Sequence, residues 1–231
     1  MQKSKIEWTD YTLNPIKGLC PVDCKDNQGK SYCYARRMYK RFKWNPEIRF
    51  DNRAFSLLEQ IKKPSRIFIG STMELFGEWV GADAANYIFR QVRNFPQHTF
   101  IFLTKCPQNL SFWSPFPRNC WIGCSVTNHE QLIKAQVHLA EIKGMVKFVS
   151  IEPMLEELDT LVAGYWLGLF ESVDWAILGA RTQPTRYPKP ETVKLVLEIA
   201  DYSHIPVFVK SPLAEHLNIH RQEYPLSQQG R

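Results

Sequence analysis

Three of the six cysteines of the chain lie close together near its start, at Cys20, Cys24 and Cys33. Thiols at such spacing form a disulfide, bind zinc or bind an iron–sulfur cluster. A structural zinc site needs four ligands, but the nearest other cysteine is Cys106 and the first histidine is His98. Three thiolates without a neighbouring fourth ligand match a 4Fe–4S cluster that keeps one iron open for a substrate or cofactor. A zinc site completed by a distant residue remains an alternative.

The other three cysteines are predicted to be packing residues. Cys120 and Cys124 share one face of a predicted strand, but at roughly 3.3 Å per residue they lie about 13 Å apart. They therefore cannot bind one metal ion together, and Cys106 has no cysteine or histidine beside it in the sequence.

A basic and aromatic run, Ala35–Trp44, follows the third cysteine directly. One interpretation is a solvated helix whose aromatic residues pack inward. The other is a surface that binds phosphates through its cations while aromatic rings stack on bases. The net charge of 29 − 23 = +6 favours an anionic partner. The candidate nucleic-acid contacts are Arg36, Arg37, Lys40 and Arg41.

The composition is that of a globular protein, with 231 residues of which 44% are hydrophobic. No linker or change of composition divides it, so one domain over residues 1–231 is expected, with a cysteine loop at about 18–38. The sequence contains no run of about 18 apolar residues, so we predict no membrane span. The polar start, MQKSKIEWTD, lacks an apolar signal segment, which favours the cytoplasm, where cysteines are usually reduced or bind metals.

Short apolar runs alternate with segments of helical pattern along the chain, and Asp10–Ile16 is a candidate for a further strand. The predicted strands are Arg66–Gly70, Thr99–Lys105, Cys120–Val126, Val146–Pro153, Asp174–Ala180 and Pro206–Lys210. The predicted helices are Ala54–Lys63, Ala82–Asn94, Glu130–Lys143 and Glu191–Tyr202, the third with Thr127 or Asn128 as its N-cap.

Strand–helix alternation repeated about six times predicts an α/β fold with parallel strands joined by right-handed crossovers. No glycine-rich phosphate loop follows the first strand, which disfavours an open nucleotide-binding sheet. We therefore predict a partial (β/α)6 barrel of the TIM type. Polar residues recur where the strands end, and a barrel brings all those ends to one face. They are Ser71, Thr72, Glu74, Thr104, Lys105, Ser125, Ser150, Glu152, Arg181 and Lys210.

The three cysteines, the βα units and the polar strand ends together resemble the radical S-adenosylmethionine (SAM) superfamily. More closely, the sequence resembles a phage- and prokaryote-associated family of unknown function at the edge of that superfamily. The segments that carry this resemblance are IEWTDYTLNP (6–15), CYARRM (33–38), STMELF (71–76), HTFIFLTK (98–105), WIGCSV (121–126), FVSIEPML (148–155), DWAILGA (174–180) and VFVK (207–210).

The superfamily resemblance implies two cofactors, a 4Fe–4S cluster and SAM. Cys20, Cys24 and Cys33 would each bind one iron, and the fourth iron would bind the amino and carboxylate groups of SAM. One-electron reduction would cleave SAM to methionine and a 5′-deoxyadenosyl radical, which abstracts hydrogen from a substrate. The protein's own task would be to position these groups and to exclude water and oxidants.

The resemblance also implies roles for the strand-end residues. Ser71, Thr72 and Glu74 lie where the superfamily often holds the SAM amino group, and Tyr34 matches an aromatic residue that packs near adenine. The residues expected near the ribose or the carboxylate are Ser125, Ser150 and Glu152. The cations expected to contact anionic groups of SAM or substrate, and therefore the candidates for catalysis, are Lys105, Arg181 and Lys210.

The sequence departs from the superfamily in the spacing of its cysteines. The usual pattern is C-x3-C-x2-C, whereas eight residues, KDNQGKSY, separate Cys24 from Cys33 here. A longer loop around Gly29 can still deliver the third thiolate, because loop closure costs little extra entropy with length. The geometry of a cluster at these cysteines is thus left open by the sequence.

The leading hypothesis is a radical SAM enzyme that needs an electron donor and acts on an unknown anionic substrate, with a nucleic acid or nucleotide as the candidate. An alternative is a nucleic-acid-binding module stapled by zinc or a cluster, without SAM chemistry. A barrel without metal, serving as an interaction protein, is a third hypothesis. A serine- or cysteine-nucleophile hydrolase is disfavoured, because the sequence has no G-x-S-x-G motif.

Overall fold

The computed structural model describes residues 2–143, 146–155, 158 and 163–225. Two segments, Asn52–Gln60 and Pro107–Trp113, form 3₁₀ helices. The strands are β1 (Gln2–Lys3), β2 (Tyr11–Leu13), β3 (Ile16–Lys17), β4 (Arg49–Phe50), β5 (Arg66–Ile69), β6 (Thr99–Thr104), β7 (Cys120–Ser125), β8 (Val146–Ile151), β9 (Trp175–Leu178), β10 (Arg181–Thr182), β11 (Thr185–Arg186) and β12 (Val207–Val209). The α-helices are α1 (Tyr34–Phe42), α2 (Ala82–Asn94), α3 (His129–Glu141), α4 (Ala163–Phe170), α5 (Pro190–Tyr202) and α6 (Leu213–Leu217).

One large sheet runs through the molecule in the order β1-β2-β5-β6-β7-β8-β9-β12. Seven of its strands, from β2 to β12, are parallel, and β1 alone pairs antiparallel with β2. Each parallel strand lies beside the next one along the chain, so the sheet curls in one direction into a half-barrel. The predicted partial βα barrel is confirmed, and the segment Asp10–Ile16 supplies the seventh parallel strand.

Most predicted helices form with small shifts at their ends. The predicted helix Ala82–Asn94 is α2 with the same bounds, and Asn128 caps α3 by accepting a hydrogen bond from the Gln131 amide. The predicted helix Ala54–Lys63 forms as the 3₁₀ helix Asn52–Gln60, which turns more tightly than an α-helix and ends three residues earlier. Its amides bond three residues back, as Ile61 does to Leu58.

The strands of the half-barrel separate two apolar clusters because side chains alternate between the two faces of a strand. On β7, Cys120, Ile122 and Cys124 belong to the larger cluster, between the sheet and the helices. Burial raises the pKa of both cysteine thiols. The prediction that these two cysteines are packing residues is therefore confirmed.

The second cluster fills the inside of the half-barrel. Trp8, from the loop between β1 and β2, lies 5.0 Å from Phe68 and 6.2 Å from Trp175 between ring centroids. Gly123 leaves room for Phe148, since a Cβ atom there would lie 2.4 Å from its ring. The inward-facing positions of the strands thus carry large apolar side chains. Trp8 and Phe68 form the top of this cluster and also line the cavity described below, so we call them the floor of that cavity.

No helix in the described part of the chain is long and apolar enough to cross a membrane.

Candidate functional site

A cavity of about 430 Å³ lies above this floor, at the carboxyl ends of the parallel strands. The inward position of several strands becomes polar at this level, as from Leu103 to Lys105 or from Phe148 to Ser150. Arg37 is the candidate nucleic-acid contact that also reaches it. The other predicted site residues that line the cavity are Cys20, Cys24, Cys33, Tyr34, Ser71, Thr72, Glu74, Lys105, Ser125, Ser150, Glu152, Arg181 and Lys210.

The long segment between Cys24 and Cys33 folds back on itself as a small hairpin. Lys25 pairs with Ser31, and the Tyr32 amide donates to the Cys24 carbonyl at 2.9 Å. The Gly29 amide donates to the Asp26 carbonyl at 2.9 Å, which closes the tip of the hairpin. The eight intervening residues therefore bring the second and third cysteines together rather than moving them apart.

Asp26 fixes this hairpin to the half-barrel. Its Oδ1 accepts hydrogen bonds from the amides of Gln28 and Lys30, at 3.1 and 2.8 Å. Its Oδ2 accepts a 2.6 Å hydrogen bond from Nη1 of Arg181, whose side chain is only 3% exposed. The Arg181 guanidinium lowers the pKa of the Asp26 carboxyl. Arg181, expected from the sequence to contact an external anion, thus also has an internal partner.

The three thiols differ in their surroundings. A hydrogen bond from the Cys24 thiol lowers the pKa of Cys33 to about 6, helped by the backbone amides at the start of α1. The same contact raises the pKa of Cys24. Desolvation raises the pKa of Cys20, although the Glu74 amide donates to its sulfur at 3.4 Å. Helix N-termini and donated hydrogen bonds stabilise thiolates, the form in which cysteine binds iron or zinc.

The three cysteines line one cavity, in which the Cys24 and Cys33 thiols contact each other. Among the described residues, no group of three or more cysteine, histidine, aspartate or glutamate side chains converges to hold a single metal ion. A 4Fe–4S cluster is bound by thiolates that each bond to a different iron. Cys20, Cys24 and Cys33, which line one cavity with a polar open side, therefore provide a donor set that fits such a cluster.

The first two arginines of the basic run contact the cysteine loop. Arg36 Nη2 donates to the carbonyl of Cys20 at 2.9 Å, and Arg36 also pairs with Asp23 at 3.5 Å. Arg37 Nη1 donates to the carbonyl of Tyr32 at 3.2 Å. These contacts hold the loop against α1, a role that the charge pattern alone did not indicate. Lys40 and Arg41, one turn further along, are exposed.

Asn14 is a residue of the site that the sequence did not single out. Its side chain exchanges hydrogen bonds with Ser71 Oγ at 3.1 and 3.2 Å, and its Oδ1 accepts from the Thr72 amide at 3.2 Å. The Tyr34 hydroxyl donates to the Ser71 carbonyl from across the cavity. An asparagine directly before a proline at the end of β2 was the available signal, since asparagine often orders nearby backbone at such turns.

Glu74 is buried beside Cys20 and connects the ends of β5 and β6. Oε1 accepts hydrogen bonds from Thr104 Oγ1 at 2.7 Å and from the Phe76 amide at 3.0 Å. Oε2 accepts from the Lys105 amide at 2.7 Å. A carboxylate has about four acceptor positions, so one remains for a group in the cavity.

The opposite side of the cavity holds one ion pair and unsatisfied donors. Lys210 Nζ donates to Glu152 Oε1 next to the buried hydroxyls of Ser125 and Ser150. Nε and Nη2 of Arg181 are buried and have no hydrogen-bond partner in the part of the chain that the structure describes. Buried donors without partners are rare in proteins, because each costs about 1–3 kcal/mol. These two Arg181 nitrogens belong to a residue that lines the cavity, and an anionic group is the partner that suits them.

Comparison with solved structures finds the same fold in spore photoproduct lyase. A tyrosine-to-phenylalanine variant matches with a TM-score of 0.64 at 9% identity, over 90% of this chain and 78% of that one. A cysteine-to-serine variant matches with a TM-score of 0.59 at 10% identity, over 87% of this chain and 63% of that one. A doubly substituted variant with bound AdoMet and dinucleoside spore photoproduct matches with a TM-score of 0.55 at 9% identity, with the same coverage. The chain thus spans less than two thirds of the length of the last two, and such identities show a shared fold alone.

The sequence matches one family over nearly its whole length. Residues 3–221 match a family described as protein of unknown function, DUF5131, and the chain belongs to that family. No curated protein matches it. Membership of a family of unknown function, predicted from the sequence, is confirmed, while an association with phages receives no support.

Proposed function

We propose that the chain is a radical SAM enzyme in which Cys20, Cys24 and Cys33 hold a 4Fe–4S cluster and the cavity binds SAM. The observation that carries this proposal is the meeting of all three cysteines with the polar ends of the strands around one cavity. Bound there, the two cofactors would supply the radical chemistry, the one-electron cleavage of SAM to methionine and a 5′-deoxyadenosyl radical.

The fold and the cavity support this proposal. A volume of about 430 Å³ lies within the range of roughly 300–1,000 Å³ typical of small-molecule sites. Spore photoproduct lyase, which shares the fold at low identity, has been solved with AdoMet and a dinucleoside photoproduct bound. The apolar floor at Trp8 and Phe68 keeps water from the inner end of the cavity.

The polar residues would orient SAM in the cavity. Glu74, with one acceptor position left, would accept charge-assisted hydrogen bonds from the SAM ammonium, beside the Ser71–Thr72 turn that Asn14 orders. Tyr34 would pack near the adenine ring. The residues that would contact the ribose or the carboxylate are Ser125, Ser150 and Glu152.

The cations of the site favour an anionic ligand or substrate. Two donors of Arg181 lack partners among the described residues, and a carboxylate or phosphate accepts them in a fork-like geometry. Lys105 lines the same cavity as the three cysteines. Lys210, paired with Glu152, lies opposite. We propose a nucleic acid or nucleotide as the substrate and an external donor for the electron.

Anaerobic reconstitution tests the proposal. The protein is loaded with iron and sulfide, reduced and given SAM, and 5′-deoxyadenosine is measured by chromatography. The wild-type protein should form a brown cluster and release 5′-deoxyadenosine. Cys33→Ala should release at least about a hundred times less, because one iron loses its thiolate.

Cys106→Ala is the matched control, since this cysteine does not line the cavity. It should keep both the cluster and the product. Stoichiometric zinc and no cluster after anaerobic purification would contradict the proposal and favour the metal-stapled module. Loss of the cluster in Cys106→Ala would also contradict it, because a fourth thiolate would leave no open iron.

A further inference from the structure

The far end of α1 carries an exposed pair of aromatic rings beside several cations. Phe42 and Trp44 stack with ring centroids 5.5 Å apart and planes inclined by 20°, yet they are 52% and 42% exposed. The Arg41 guanidinium lies 5.3 Å from the Phe42 centroid, and Lys40 and Lys43 are exposed beside it. We call the five residues Lys40, Arg41, Phe42, Lys43 and Trp44 the basic–aromatic platform. Large apolar rings left in solvent next to charges are typical of binding surfaces.

The segment that carries the platform contains charges of one sign. Residues 34–46 contain five lysines and arginines and no aspartate or glutamate. Two of the five, Arg36 and Arg37, are occupied by the cysteine loop, as described above. The remaining three cations all belong to the platform, so the surface is suited to a polyanion rather than to a mixed-charge partner.

The platform is continuous with the cavity. Tyr34 and Arg37 line the cavity mouth, and Arg41 follows them on the same face of α1, because residues three and seven positions on share a side of a helix. At 1.5 Å per residue, the eight steps from Tyr34 to Phe42 span about 12 Å. At about 3.4 Å per nucleotide of a stacked strand, this distance corresponds to three or four nucleotides.

We propose that the basic–aromatic platform binds unpaired nucleotides of a single-stranded nucleic acid, three or four positions away from the nucleotide held at the cavity. Every base has a flat face that stacks on an aromatic ring, and the backbone phosphates pair with nearby cations. Bases in a duplex are stacked on one another and do not offer these faces to a protein surface. The inference rests on the proposed function for the nucleotide at the cavity, but the platform's own binding is separately measurable.

Fluorescence anisotropy with labelled oligothymidylates of two to twelve nucleotides tests this inference, using the whole 231-residue chain with and without its reconstituted cluster. Affinity should rise steeply once the strand is long enough to reach the platform, at about four or five nucleotides. The double variant Phe42→Ala/Trp44→Ala should bind the longer strands about tenfold more weakly. Phe112→Ala, which removes an aromatic ring that is 86% exposed elsewhere, should bind like the wild type.

Salt dependence separates the phosphate contacts from stacking. For a single strand, the slope of log affinity against log salt should fall in magnitude by about 0.7 when Arg41→Gln removes one phosphate contact. Lys194→Gln removes the same charge from the exposed face of α5 and should leave the slope unchanged. Circular dichroism should show the same helix content for all variants and melting temperatures within a few degrees of the wild type, since the altered side chains are at least partly exposed.

Absence of binding by the wild-type protein, or equal affinities for the double variant and Phe112→Ala, would overturn the inference. Light scattering adds a further check: concentration-dependent self-association that only the double variant loses, with oligonucleotide binding intact, would assign the platform to another copy of the chain. Because anisotropy needs no SAM chemistry, failure to form 5′-deoxyadenosine with intact strand binding would reject the proposed function and keep the platform.

Discussion

At the scale of single residues, Glu74 is a tightly bonded side chain of the site. It is buried, and three donors from two strand ends converge on its two oxygens. A neutral glutamine has the same size but only one acceptor oxygen, so its amide nitrogen would face the Lys105 or Phe76 amide, donor against donor. The carboxylate is therefore a structural connection as well as a candidate ligand for SAM.

We predict that Glu74→Gln lowers the free energy of unfolding by about 1–3 kcal/mol, the cost of leaving a buried donor unsatisfied. Urea denaturation followed by circular dichroism measures this change. The control is Glu78→Gln, because Glu78 is exposed and lies four residues after Glu74. This change should alter the free energy of unfolding by less than about 0.5 kcal/mol. Equal stability of the two variants would show that the hydrogen bonds to Glu74 are not needed for the fold.

Single residues also show how far the sequence predicts the site. The inward alternation of Trp121, Gly123 and Ser125 can be read from the strand period, so a polar group at the end of β7 was predictable. The pair of Asp26 and Arg181 was not, because 155 positions separate them and only the curled sheet brings them together. The sequence shows which residues are charged but not which of them form ion pairs with each other.

At the scale of elements, the inner face of β7 depends on the absence of a side chain. A Cβ at Gly123 would lie 2.4 Å from the Phe148 ring of β8. We predict that Gly123→Ala lowers the free energy of unfolding by about 1–3 kcal/mol, because Phe148 or the strand must shift to relieve the overlap. Thermal and urea unfolding measure the loss.

Gly164→Ala is the matched control for this change. It lies in α4, and within the described part of the chain nothing packs within 4 Å of the added methyl group. The better helix former should therefore leave stability unchanged or raise it by about 0.5–1 kcal/mol. If both alanine variants unfold alike, close packing of β7 on β8 is not what Gly123 provides.

The tip of the cysteine hairpin depends on a different property of glycine. Gly29 has a φ of +74°, a backbone conformation that costs other residues roughly 1–2 kcal/mol. An added methyl group would have no described neighbour within 4 Å, so the backbone conformation rather than a steric clash requires glycine here. We predict that Gly29→Ala destabilises the protein by about 1 kcal/mol and that Gly29→Asn, which tolerates this conformation, costs less. Urea unfolding ranks the two, and an alanine variant as stable as the asparagine variant would contradict the hairpin geometry.

Helices were harder to predict than strands where glycine interrupts their pattern. In α4, Gly164 and Gly168 lower the intrinsic helix propensity, and the segment forms because Trp166, Leu169 and Phe170 are buried in the core. By contrast, α2 has a regular apolar stripe, and the sequence predicted its bounds. Tertiary packing, which a local pattern does not contain, decides the weaker cases.

At the scale of the whole molecule, side chains fill the inside of the half-barrel between its two edge strands. The described strand pairs run from β1 to β12 without joining these two ends. Trp8 packs inside the curl against rings from β5, β8 and β9, and its own burial is nearly complete. This single side chain forms part of the apolar core and of the cavity floor.

We predict that Trp8→Ala lowers the free energy of unfolding by about 3–5 kcal/mol, because loss of a large ring leaves a cavity among packed rings. Denaturant titration of the variant measures this loss, with Trp8→Phe as a milder variant if the first does not fold. Trp44→Ala, which removes a half-exposed indole, should cost less than about 1 kcal/mol. Similar losses for Trp8→Ala and Trp44→Ala would mean that the interior tolerates an opening at this point.

We expect a search by fixed cysteine spacing to miss relatives whose second gap differs in length. The hairpin after Cys24 closes between Cys24 and Tyr32, so a longer tip would still leave Cys33 beside Cys24. Doubling such a loop costs only about 0.6 kcal/mol in closure entropy, a small barrier to change during evolution. A search pattern with a variable second gap, combined with an aspartate in the loop and an arginine after a later strand, would recover chains that a fixed pattern discards.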